Sequence, residues 1–229
     1  MSMELKILYE DNHLTAVYKP ACILVQEDKT GDPSLLDQVK YYLKNKYHKP
    51  GNVYLGLIHR LDRPVSGIIL FAKTSKGASR LSEQFREHEV EKVYHALVVG
   101  KPKKDKDTLI HYITKDESIN KVSVESPRLG GVGVGLPNGL RAELFYEVVK
   151  SNGKYSLLKI KLGTGRSHQI RAQLAAIGCP IVGDVKYGGE DIGKQLFLMA
   201  TSLKFKKATE DEEVELNLDV PEEWARFVQ

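Results

Sequence analysis

Two short strand-like runs, residues 5–9 and 14–19, open the chain around a turn made of Glu10, Asp11, Asn12 and His13. Leu35, Leu36, Val39 and Leu43 then fall on one helical face, behind Asp32 and Pro33, which suit an N-cap and a first helical position. The apolar run 68–72, bounded by Gly67 and the polar Lys73, Thr74 and Ser75, predicts a buried strand. Ser75 is placed to cap a second helix in which Leu81 and Phe85 stack at i, i+4. Residues 93–99 predict another strand, ended by Gly100, Lys101 and Pro102. A basic connector, KPKKDKD at 101–107, and a Gly/Pro-rich loop at 126–139 follow. No helix pattern follows Gly135, so that loop lacks the context of a dinucleotide-binding turn. Strands 141–150 and 155–162 are joined by Ser151-Asn152-Gly153-Lys154, a hairpin signal. A helix over 168–177, capped by Ser167 and ended by Gly178, carries the stripe Ile170, Leu174 and Ile177. Val214, Leu216 and Leu218 alternate with acids near the end and predict a last strand. The pattern gives an α+β fold: a mostly antiparallel sheet with peripheral helices in one domain spanning residues 1–229.

Composition narrows the class. Hydrophobic residues make up 41% and charged residues 28% of the 229, as in ordinary globular proteins. No apolar run approaches the roughly 18–20 residues that span a bilayer, and no charged-then-apolar leader opens the sequence. Cys22 and Cys179 are too few for a disulfide scaffold and lack metal-ligand spacing, so a reducing, cytoplasmic setting is expected. Net charge is +4, from 34 bases and 30 acids. The last 22 residues hold eight acids and one base, which leaves 33 and 22, or +11, in residues 1–207. Such an excess favours a polyanionic partner, although surface lysines also serve solubility alone.

Three segments hold candidate chemistry. In His59-Arg60-Leu61-Asp62-Arg63-Pro64-Val65-Ser66-Gly67, Asp62 sits between two arginines ahead of an apolar strand. Nearby cations keep a carboxylate ionised and fit to act as nucleophile or base. The plain alternative is an aspartate that satisfies turn amides. In Gly163-Thr164-Gly165-Arg166-Ser167-His168-Gln169-Ile170-Arg171, a glycine-rich turn delivers Arg166 beside a helix N-terminus, a place for an anion clamp or simply an exposed arginine. In Glu91-Lys92-Val93-Tyr94-His95-Ala96, a tyrosine within an apolar strand reads locally as core. The seven histidines show no His-x-x-x-His spacing, and P-loop and Gly-x-Ser-x-Gly patterns are absent.

Taken in order, these segments resemble the RluA-type pseudouridine synthases. HRLDRPVSG resembles that family's His-Arg-Leu-Asp-x-x-Thr-Ser-Gly, KVYHA its Lys-x-Tyr-x-Ala, and GRSHQIR its Gly-Arg-Thr-His-Gln-Ile-Arg. A later stretch, from Cys179 through Asp184 to Tyr187 and Gly188, is similar to His-Pro-Ile-Leu-Gly-Asp-x-x-Tyr-Gly. The resemblance implies a mixed, largely antiparallel sheet crossed by an active-site cleft, and an enzyme that isomerises uridine in ribosomal or transfer RNA without metal or nucleotide cofactor. It implies that Asp62 starts breakage of the C1′–N1 bond, that Tyr94 packs against the target base, and that Arg166 orients the aspartate. Arg60 would fill the gap left by the everted uridine, with His59 and Arg63 beside it among the RNA-binding residues. Eversion costs a few kcal/mol, which a stacked arginine partly offsets.

Departures fall at Val65, where the family has Thr, and at Gln173 and Cys179, where it often has His. The N-terminal basic module of longer relatives is expected to be lacking, so affinity would rest on the catalytic domain. Lys103 and Lys104 are the foremost candidates for phosphate contact, with Lys44, Lys46, Lys101 and Lys106. Structured RNA is the expected partner and a monomer the expected state. A binding protein without catalysis, or a hydrolase releasing uracil, are the competing readings.

Overall fold

The computed structural model describes residues 5–126, 139–193 and 195–229. In chain order the elements are β1 (Ile7–Glu10), β2 (Leu14–Lys19), α1 (Leu35–Lys46), β3 (Gly56–Leu57), β4 (Ser66–Ala72) and α2 (Ser75–Arg86). Next come β5 (Glu91–Val99), β6 (Lys106–Asp116), β7 (Lys121–Glu125), β8 (Leu140–Ser151), β9 (Tyr155–Leu162) and α3 (Gln169–Ala176). Last are β10 (Leu198–Lys206), β11 (Glu213–Asn217) and α4 (Glu222–Ala225). The chain forms two compact units, one of residues 1–92 and 200–219, the other of 93–199 and 220–229.

In the first unit the strand order is β1-β2-β4-β10, with β3 on β4 and β11 on β10. β4 is buried along its whole length, which explains its unbroken apolar sequence. Ile68, Leu70 and Ala72 pack with Leu81 of α2 and with Leu203 and Phe205. The alternate residues Ile69 and Phe71 pack with Val17 and with Leu35, Val39 and Leu43 of α1. Each of the larger of these side chains contributes roughly 1.5–3 kcal/mol when fully buried. α1 begins at Leu35 behind Ser34, whose hydroxyl oxygen accepts from the Asp37 amide at 3.3 Å, and not at Asp32-Pro33. Asp37 accepts in return from the Ser34 hydroxyl, a reciprocal lock related to a capping box. Likewise Thr74, not Ser75, caps α2 by accepting from Gly77 N at 3.0 Å. The alternating acidic segment forms β11, antiparallel to β10, as its pattern predicts.

In the second unit the order is β5-β9-β8-β6-β7, and all these pairings are antiparallel. The β8–β9 hairpin closes as expected: Asn152 Oδ1 accepts from the amides of Lys154 and Tyr155, and Gly153 takes φ +87°. β6 starts inside the basic segment that the sequence presents as a connector, and the residue pattern predicts neither β6 nor β7 nor β10. In β6 the buried face carries Leu109, His111 and Ile113, so a histidine interrupts the apolar alternation. α3 is entered through His168 at φ +51° with no side-chain cap, so Ser167 does not cap it. Of the Gly/Pro-rich loop, residues 127–138 lie outside the described residues. Among the described residues no helix is long and apolar enough to cross a membrane.

Candidate active site

Asp62 lies in the first unit, in the turn between β3 and β4, and is half-buried. Its carbonyl accepts from Val65 N at 3.0 Å, closing the turn through Pro64. The turn is gripped by a residue that sequence alone does not single out. Lys19, fully buried at the end of β2, donates from Nζ to the carbonyls of Pro20 (3.1 Å), Arg63 (2.9 Å) and Val65 (2.6 Å). All three ammonium protons are thereby used. Burial pushes the Lys19 pKa down to about 8, against the opposing pull of Cys22 and Asp62. A lysine that ends a strand looks like a surface residue in sequence, and nothing local marks it as buried.

The turn must also end in glycine. Gly67 has φ +124°, and a Cβ there would lie 2.2 Å from Ala200 O and 2.5 Å from Ala200 N. Only the missing side chain lets β4 approach that backbone. Val65, in place of the family's Thr, is buried, so its methyls suit the position.

Arg60 and Arg63 are exposed. Arg63 donates from Nη2 to Asp32 at 2.6 Å and from Nε to Cys22 O at 3.3 Å. His59 is engaged within the fold. Its Nε2 accepts from Leu70 N at 3.0 Å, and its ring stacks on Phe85 at 4.9 Å. Lys92 Nζ lies 5.4 Å from the Phe85 ring centroid. Burial, with Lys92 adding, pushes the His59 pKa down to about 3. The folded state therefore refuses a proton that an unfolded histidine takes up below about pH 6.5. The stability carried by the neutral ring is full above that pH and is lost as pH falls toward 3. Urea midpoints measured from pH 7 to pH 4 should fall more steeply for wild type than for His59→Gln. Parallel curves would contradict this assignment.

Tyr94 and Arg166 lie in the second unit. Tyr94 is 8% exposed on β5, opposite Ile160 of β9. Arg166 is exposed in the turn between β9 and α3, with Nε donating to Arg141 O at 3.3 Å. The turn is tied to β8 by the buried Gln169. Its Oε1 accepts from Arg166 N (2.9 Å) and from the Thr164 hydroxyl (2.8 Å), while Nε2 donates to Glu143 O (2.9 Å). Gly163 N and Thr164 N donate to the same carbonyl at 3.0 and 3.1 Å. Gln169 thus ties the turn ahead of α3 to β8, while the helix itself has no side-chain cap.

The later motif residues hold the frame. Arg171 makes a bidentate pair with Asp184, both contacts 2.8 Å, with side chains only 8% and 1% exposed. The Tyr187 ring lies 5.1 Å from that guanidinium, and its hydroxyl contacts His168 Nδ1 at 2.8 Å. Several candidate lysines are already paired: Lys46 with Glu10, Lys101 with Asp105, Lys104 with Asp107 and Lys106 with Glu147. Among the described residues Lys44 and Lys103 make no ion pair.

Residues 13–176 match the sequence model of a family described as RNA pseudouridylate synthase. The chain belongs to that family. All three segments carrying Asp62, Tyr94 and Arg166 fall within the matched region. The synthase is an enzyme of the isomerase class. It is similar to ribosomal large subunit pseudouridine synthase C of Rickettsia prowazekii, 31% identical over 220 residues that cover 94% of this chain and 68% of the relative. It is also similar to tRNA pseudouridine synthase C of Haemophilus ducreyi, 38% identical over 191 residues, 81% and 75% of the two chains. The solved structure of human RNA pseudouridylate synthase domain containing 4 shares the fold, with a TM-score of 0.80 at 24% identity. That alignment covers 97% of this chain and 91% of the human one.

Proposed function

We propose that this synthase converts uridines of ribosomal or transfer RNA to pseudouridine, with Asp62 as its acting carboxylate. The observation that carries the reading is the Asp62 turn itself. Inside the matched family region, the turn is held by a buried ammonium on three carbonyls and by a glycine that tolerates no side chain. Such preorganisation suits a residue whose oxygen must meet a reacting nucleoside in one place. The +11 charge of residues 1–207 supports a polyanionic substrate.

In this reading Asp62 acts ionised, either attacking the sugar or removing the C2′ proton, and the C1′–N1 bond breaks. The uracil turns and reattaches through C5; the C5 hydrogen leaves to solvent and N1 gains one. Tyr94 offers a flat wall to the turning base, and Arg166 supplies the positive charge that steadies the carboxylate. Arg60 replaces the everted base in the stack. No metal or nucleotide takes part, and the monomer acts in the cytoplasm. Incubation with RNA tritiated at uridine C5 should release tritium to water, undiminished by EDTA. Background-level release from wild type would overturn the proposal.

Lys103 and Lys104 are assigned to the RNA backbone in the same reading. Neutralising both should weaken RNA binding and flatten the salt slope by about 0.7–0.9 for each phosphate left without its lysine, and the same uridine should still react. Lys103 should carry the larger share, because Asp107 already engages Lys104 at 3.1 Å. An unchanged slope with a shifted target position would contradict that assignment.

A further inference from the structure

The first unit holds a groove of about 1010 Å³ lined by α1, the 22–24 segment and Arg63, the residue that follows Asp62. Ile23, Leu24 and Tyr41 give it apolar walls, and the amides of Gln38 and Asn45 also line it. Tyr41 lines the groove and is 70% exposed, so its ring presents a large open face. Residues 40–49, KYYLKNKYHK, hold four lysines, three tyrosines and no acid. Lys46, which lines the groove, is occupied by Glu10 at 2.8 Å, whereas Lys40, Lys44 and Lys49 lie beside the lining on the same segment and make no ion pair among the described residues. The acids lining the groove are already engaged: Asp37 in the helix cap with Ser34, and Asp32 with Arg63, which lines the groove too. That last pair is about half exposed on both sides, so little opposes its exchange for a phosphate.

Apolar walls, amides that meet base edges, a bare ring and unmatched lysines are the parts of a single-strand nucleic-acid site. We propose that this groove is an accessory RNA subsite: an unpaired nucleobase near the target uridine stacks on Tyr41, while Lys44 and Arg63 meet the adjoining phosphates. The inference rests on the reading of the chain as an enzyme acting on RNA, and extends it to how flanking nucleotides are held. A protein ligand would use the apolar walls but leave the acid-free lysine run unexplained. RNA uses both. Continuity favours it too, because Arg63 belongs at once to the groove and to the Asp62 turn.

The test uses the full chain and a fluorescent, single-stranded, uridine-rich RNA of about a dozen nucleotides carrying a photoreactive uridine. Crosslinks should map to the 40–49 segment. Tyr41→Ala should weaken binding about 5- to 150-fold, as loss of one stacked base does, and Tyr41→Trp should restore it. Lys44→Gln should flatten the salt slope by about 0.7. On tritiated RNA, Tyr41→Ala should raise KM and leave kcat as in wild type. Unchanged affinity with crosslinks elsewhere would overturn the subsite. So would loss of self-association in sedimentation without loss of RNA affinity, which would make the groove an interface between copies. If wild type binds the probe in the groove yet releases no tritium, the enzymatic reading fails and the subsite stands; if wild type releases tritium and Tyr41→Ala matches it throughout, the reverse holds.

Discussion

Asp62→Asn should lower the single-turnover rate of tritium release from C5-labelled RNA by at least about 10⁴-fold, the scale seen when an acting nucleophile or base is removed. The amide keeps the size of the carboxylate and loses only its charge and basicity. The turn itself should survive, because the substitution leaves in place the main-chain contacts that hold it, from Lys19 to the Arg63 and Val65 carbonyls and from Val65 N to the Asp62 carbonyl. RNA affinity and urea stability should therefore stay near wild type. A variant that keeps more than a tenth of the wild-type rate would show that another group does the chemistry. One that fails to fold would show that the carboxylate is a structural residue.

The largest expected loss of stability lies five residues further on. Gly67→Ala should cost about 4 kcal/mol, adding roughly 1–3 for the strained backbone to roughly 1–3 for overpacking. The inserted methyl would lie 2.2 Å from Ala200 O, and backbone on both sides leaves neither partner free to swing away. For a chain of this size the thermal midpoint should fall by about 8–16 °C. A loss below about 1 kcal/mol in denaturant titration would mean that β4 and β10 separate easily at this point, and that the turn is not held as described.

Those two positions also show what the sequence could and could not disclose. Asp62, Tyr94 and Arg166 stand in motifs of fixed spacing, so these candidate residues are legible one by one. Lys19 is not: its significance comes from three carbonyls brought to it by the fold, two of them more than forty positions away. His59 is legible as a motif residue but not as the acceptor for Leu70 N, since eleven residues and a strand separate the two. Among the elements, β4 and α1 can be read because their apolar residues are unbroken or helically spaced. β6 escapes such a reading because His111 and Gln173 meet on the buried face of that strand, where periodicity expects an aliphatic side chain. Helix starts shift by one or two residues, at Ser34 and Thr74, because neighbouring polar residues compete for the cap and only backbone geometry decides between them.

In the proposed reaction a uridine base leaves its sugar and returns to it through another atom. The most direct measurement is nucleoside analysis of labelled RNA after incubation with the purified chain. Pseudouridine should appear in the same amount as the tritium released, with no free uracil. Free uracil in place of pseudouridine, or tritium release without either, would contradict it.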